Sequence, residues 1–188
     1  EYILGLRAEH EGGMGGRFPT RIESHLRFTT LGGLEAHPMF ARALLDRAQA
    51  LSTDPANETV ILLAHGTGSD ARNEHWMNNL ATMADTMRAR GGDAFRDIKY
   101  HTWREDWPEK RKQTIPEIRQ MVEEASANGT AIVIPARTTA QGRAEQYLGD
   151  LDYQYGTGFA PHPLFVEWLR DQIEQGIRTL NQRDGAAS

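Results

Sequence analysis

Apolar and polar positions alternate in blocks along the last two-thirds of the chain. Residues 58–64 form a run rich in Val, Ile and Leu, bounded by Pro55-Ala56-Asn57 and by Gly66. That is the length and composition of a buried central strand. Residues 73–90 place Trp76, Leu80, Met83, Ala84 and Met87 at helical spacing, and Gly91-Gly92 stops the pattern. Residues 97–103 alternate and are aromatic, which predicts a second strand. Thr114-Ile115-Pro116-Glu117 has capping-box spacing, so a helix is expected to start there, with Ile118, Val122 and Ala125 on one face and Asn128-Gly129 at its end. A third apolar strand follows at 130–135, then a short helix at 143–148 and a brief strand at 153–155. A closing helix is expected at 163–177, with Pro163 in its first turn. Strands alternating with helices predict an α/β fold, a parallel four-stranded sheet flanked by helices.

The chain also repeats part of itself. His37-Pro38-Met39-Phe40 recurs as His162-Pro163-Leu164-Phe165, and Tyr2–Leu6 resembles Tyr147–Leu151 in the same order. Each HPxF segment follows a glycine-bearing approach, Leu31-Gly32-Gly33-Leu34 in one copy and Tyr155-Gly156-Thr157-Gly158-Phe159 in the other. This predicts that residues 1–56 are the C-terminal remnant of a first lobe, with a Gly-rich insertion at 11–25, and that 57–188 form a complete second lobe. Measured against the second copy, the first lacks its opening, about 90 residues. A helix at 37–50 is expected to pack against the second lobe. His37 and His162 are expected to serve the turn before each helix.

A length of 188 residues suits one medium domain or two small ones. A net charge of −5 argues against general nucleic-acid binding, which needs a basic face, but leaves room for a local cationic pocket. No apolar run approaches the ~20 residues of a membrane span. Cysteine is absent, which excludes disulfide frameworks, Cys-zinc sites, iron–sulfur clusters and thiol catalysis, and leaves the compartment unreadable. G-x-S-x-G, the P-loop, G-x-G-x-x-G after the first strand and H-E-x-x-H are all absent.

In parallel α/β sheets, ligands bind beyond the carboxyl ends of the strands. That rule selects loops 64–73, 103–111 and 136–142. The first contains Ala64-His65-Gly66-Thr67-Gly68-Ser69-Asp70. A strand-end His can ligate a metal or move protons; the plainer reading is a His bonded to turn backbone. The second contains Trp103-Arg104-Glu105-Asp106-Trp107-Pro108-Glu109-Lys110-Arg111. Its Trp residues suit a flat ligand and its arginines a carboxylate. Glu109 and Lys110 read as a salt-bridged helix start. The third contains Arg137-Thr138-Thr139, which suits an anion unless Thr138 caps the next helix and Arg137 pairs with an acidic loop. His65, Arg104, Glu105 and Arg137 are expected to converge on one open cleft.

The segment ILLAHGTGSDARNEHWMNNL, with the REDWPEKR loop and the VIPART strand end, resembles class II tetrapyrrole chelatases of the CbiX type, the sirohydrochlorin cobalto- and ferrochelatases. The resemblance covers most of residues 59–175 and fits the two-lobe repeat. It implies insertion of Co²⁺ or Fe²⁺, as substrate metal, into sirohydrochlorin in a cleft between lobes, in cobalamin or siroheme biosynthesis, with no prosthetic group. It further implies His65 as metal ligand and proton acceptor, Glu105 as the acidic catalytic residue, and Arg104, Trp107, Arg111, Arg137 and Thr138 as contacts to an acidic macrocycle. A cytoplasmic location and a partner, either the missing first lobe or a second copy, are implied likewise. The family's second histidine has no counterpart at Ala136-Arg137-Thr138-Thr139; the missing lobe or, more weakly, His101 would have to supply it. The alternatives are a non-catalytic metal- or tetrapyrrole-binding protein of the same fold, and a phosphoryl-transfer enzyme using His65. Histidine phosphatases normally carry Arg before a strand-end His, where this chain has Ala64.

Overall fold

The computed structural model describes residues 22–139 and 144–185. The Tyr2–Leu6 half of the repeat, most of the 11–25 insertion, and Gln141-Gly142 lie outside them. The chain divides into two compact units, one formed by Leu34–Val166 and the other by the described parts of Glu1–Gly33 and Glu167–Ser188.

In the first unit the elements run α1 (Pro38–Leu51), β1 (Glu58–Ala64), α2 (Asp70–Arg88), β2 (Asp97–Thr102), α3 (Pro108–Ala127), β3 (Thr130–Pro135), α4 (Ala144–Leu148) and β4 (Gln154–Tyr155). The four strands make one sheet in the order β2-β1-β3-β4, every pair parallel. All seven residues of β1 are buried, as a strand covered on both faces requires. One face packs Ile61, Leu63 and Val133 against Ile118 and Val122 of α3 and Leu148 of α4. The other is covered by α2 and α1, which bring in Leu80, Met83, Met87, Phe40, Leu44 and Leu45. Removing each such side chain from water is worth about 1.5–3 kcal/mol.

The expected α/β fold with its parallel four-stranded sheet is therefore present, and β1 and β3 occupy the predicted residues. Helix α3 departs from expectation. It starts at Pro108, well before Thr114, with Pro at its first position and Pro116 inside it. Thr114 does not cap; its buried hydroxyl donates to the Trp103 carbonyl at 2.8 Å. Residues 108–113 are too polar to show an apolar period, so only tertiary contacts reveal that first stretch. Helix α2 likewise starts earlier than its apolar pattern, because the Ser69 hydroxyl accepts from the Arg72 amide and caps it.

Helix α5 (Pro163–Gly185) leaves this unit at Val166 and continues into the second. There the buried Gly176 lies against Thr29 and Leu31 of the segment before α1. The two HPxF segments use one device. In each, the His precedes a helix-initiating Pro and its Nδ1 accepts the backbone N–H two residues on, Met39 for His37 and Leu164 for His162, both at 3.2 Å.

Candidate functional site

The strand order places the switch point between β1 and β3: β1 leads outward to β2 on one side, and β3 begins the other side. A crevice is expected beyond the carboxyl ends of strands at such a point. The ladder runs past the strand ends and holds the three loops in register. Trp103 N donates to Ala64 O, Arg104 N to His65 O, and Ala136 N to Leu63 O, at 2.8, 2.8 and 2.9 Å. Arg104 takes a left-handed turn, φ +50°, an uncommon conformation for a side-chain-bearing residue. That turn sets Glu105 and Asp106 beside His65.

His65 is partly exposed, and each ring nitrogen faces an acceptor. Nδ1 meets Gly66 O at 2.9 Å, and Nε2 meets Asp106 Oδ2 at 2.9 Å and Glu105 Oε1 at 3.6 Å. Glu105 is only 6% exposed. Its Oε1 also accepts from Arg137 at 3.0 Å, whereas its Oε2 is buried with no hydrogen-bond partner among the described residues. A buried carboxylate oxygen without a donor is costly to desolvate, which sets Glu105 apart from the satisfied groups around it. The result is a chain of four groups, Arg137–Glu105–His65–Asp106, alternating in type from a half-buried guanidinium to an exposed carboxylate.

Two clamps hold this chain. The Arg104 guanidinium donates to Thr67 O at 2.7 Å and Gly68 O at 2.9 Å and pairs with Asp70 at 2.8 Å. Lys110 also donates to Asp70, at 2.6 and 2.7 Å. The Lys110 ammonium, followed by the Arg104 guanidinium, holds the Asp70 carboxyl below its ordinary value. The second clamp is Trp107, whose indole rests on Gly68 so closely that a Cβ there would stand 2.3 Å from the ring nitrogen. The same indole meets the His65 ring edge-on, centroids 5.6 Å apart. Gly66, at φ +75°, is pressed by Asn73 and Thr102. Asn73 Oδ1 accepts from Thr67 N at 3.2 Å and from Thr102 Oγ1 at 3.0 Å, tying α2 to both loops.

Of the residues expected at the site, His65, Glu105 and Arg137 meet directly, and Trp107 walls them. Arg104, expected to meet a ligand carboxylate, is buried in its own chain and acts as the clamp just described. Arg111 donates to the Glu105 carbonyl and lies 6.0 Å from the Tyr147 ring centroid. Thr138 is exposed, and its carbonyl accepts from Ala160 N at 2.6 Å, which joins the third loop to the approach to α5. His101 bonds Thr102 N at 2.9 Å and Glu117 of α3 at 2.9 Å. Trp103 belongs to the core. Asp106 was not singled out from the sequence, and Asn73 entered only as part of the segment ILLAHGTGSDARNEHWMNNL. For Asp106 the available signal was a second carboxylate in the loop that follows β2.

Among the described residues, no group of three or more His, Asp or Glu side chains is arranged to hold a resident metal ion. No described helix is long and apolar enough to cross a membrane.

No protein-family model matches the chain, and no curated protein matches it. Among solved structures it is similar to part of a multi-domain protein from Deinococcus radiodurans, described as structurally similar to chelatases and as having two additional novel domains. The identity is 23% and the TM-score 0.49, over 74% of this chain and 30% of that one. This chain thus spans less than a third of that protein.

Proposed function

We propose that the His65–Glu105 site captures a divalent metal as substrate and inserts it into a tetrapyrrole of the sirohydrochlorin type. The observation that carries this reading is the unpartnered Oε2 of Glu105, buried beside a strand-end histidine at the sheet's switch point. Insertion exchanges two pyrrole N–H protons for one Co²⁺ or Fe²⁺, so it needs a ligand for the incoming ion and a base for the leaving protons. His65 Nε2 faces the exposed Asp106; once it releases that carboxylate it can take the ion. Glu105 is held in place by Arg137 through Oε1, and its Oε2, without a donor among the described residues, suits a base. Asp106, on the solvent side, can receive the second proton and pass it to water.

A second reading, binding without insertion, draws support from the lone imidazole: among the described residues no second histidine joins His65. One experiment separates the two. Co²⁺ is added anaerobically to sirohydrochlorin with and without the protein, and the absorption spectrum is followed. Turnover beyond one equivalent, abolished in His65→Ala and Glu105→Gln, supports insertion. A spectral change that stops at one equivalent supports binding. No protein-dependent change, or full turnover by His65→Ala, overturns the site.

A further inference from the structure

One surface outside this site is apolar and exposed. Helix α5 exposes Val166, Leu169, Ile173 and Ile177, at 66, 39, 63 and 54% of their surface. Their spacing of three, four and four residues puts them on one narrow stripe of the helix. On one side of the stripe Gly176 already packs on Thr29 and Leu31. The other side carries Glu167, Arg170, Glu174 and Arg178, whose charges are antisymmetric about the region of Gln172.

We infer that α5 pairs with the α5 of a second copy of this chain, antiparallel, about a two-fold axis beside Gln172. A two-fold contact presents the same patch from both copies, so the patch must complement itself. With the axis there, Arg170 of each copy faces Glu174 of the other, and Glu167 falls within one residue of Arg178. Ile173 of each copy lies near the axis, and Val166 meets the far end of the other stripe. A parallel pairing would set like charges side by side. Among the described residues these groups make loose contacts, Arg170 to Asp171 at 3.8 Å and Arg178 to Glu174 at 3.7 Å, which are free to rearrange. Four half-exposed side chains fall short of the ~800 Å² per partner of a standard interface. The pair is therefore weak and forms as concentration rises.

Sedimentation equilibrium of the whole chain, from micromolar to submillimolar concentration, reads this directly. The wild-type chain should move from monomer toward dimer. Ile173→Asp, at an exposed position, should remain monomeric with an unchanged circular dichroism spectrum. Arg170→Glu should weaken the dimer roughly three- to tenfold, and the double swap Arg170→Glu with Glu174→Arg should restore it. A wild-type chain that stays monomeric throughout, or a dimer that survives Ile173→Asp, overturns the proposal. A swap that fails to restore pairing overturns the antiparallel register. None of these residues belongs to the His65 site, so the proposed activity stands or falls separately.

Discussion

Two buried glutamates sit at opposite ends of the same sheet. Glu58, at the amino end of β1, is 1% exposed, and Glu105, beyond the carboxyl end of β2, is 6% exposed. Glu58 is fully partnered: one oxygen accepts from the Thr53 and Asp54 amides and the Thr53 hydroxyl, and the other from the Ser52 hydroxyl. Burial pushes its carboxyl up, and the four hydrogen bonds together outweigh burial, so it lies below its ordinary value. Glu105 has one oxygen on Arg137 and, among the described residues, no donor on the other. The first arrangement ties the α1–β1 connection to the sheet. The second leaves one buried oxygen without a donor among the described residues, beyond the carboxyl end of β2.

The comparison breaks most sharply under mutation. Glu58→Ala strips acceptors from two amides and two hydroxyls and should cost about 3 kcal/mol by urea unfolding. Glu105→Gln, which removes a half-satisfied buried charge, should stay within about 1 kcal/mol of wild type while abolishing metal insertion. Equal losses of stability would erase the distinction. Gly66→Ala comes next. Its left-handed backbone and a Cβ 2.7 Å from both Asn73 and Thr102 should cost about 2 kcal/mol and disturb the His65 loop. Its effect should show as lost Co²⁺ response even at temperatures where the variant is fully folded.

The pH dependence sharpens the same contrast. The Glu58 carboxyl lies below 4.5 in the folded chain, so the unfolded chain takes up this proton first as pH falls. Between the two values the unfolded state holds more protons, and stability rises with pH. The contribution is complete above the unfolded value and is lost as pH falls through the folded one. Urea midpoints followed down through the carboxylate range should drop in wild type, and Glu58→Gln should lack this part of the slope. The smallest effect is local. The Arg119 guanidinium, 2.6 Å from Asp150, holds its carboxyl at about 2, below the ordinary 3.8. Carboxyl chemical shifts should show that low midpoint, and Arg119→Ala should return it toward 3.8.

Much of the fold was legible along the chain. The runs 58–64 and 130–135 are central strands because only a strand covered on both faces keeps so continuous an apolar stretch. The start of α3 was not legible. Pro108–Gln113 carries no apolar period, and its helix is held from outside by Lys110 on Asp70. The second unit shows the same limit: the apolar stripe of α5 is visible in the sequence, but its exposure is not.

For the site, the sequence by itself determined which residues stand beyond the strands. A parallel sheet carries the residue after each strand to one edge, so His65, Glu105 and Arg137 follow from the strand pattern alone. Their partners were decided only in three dimensions. Asp106 reaches His65 across 41 residues of sequence, and Arg137 reaches Glu105 across 32. Arg104 turns back onto the His65 loop instead of outward because its own backbone takes a left-handed turn. Hydrogen bonds depend on distance and direction in space, and neither is encoded in spacing along the chain. The residue types named a chemistry; the fold chose which arginine would serve as a clamp and which carboxylate oxygen would be left without a donor.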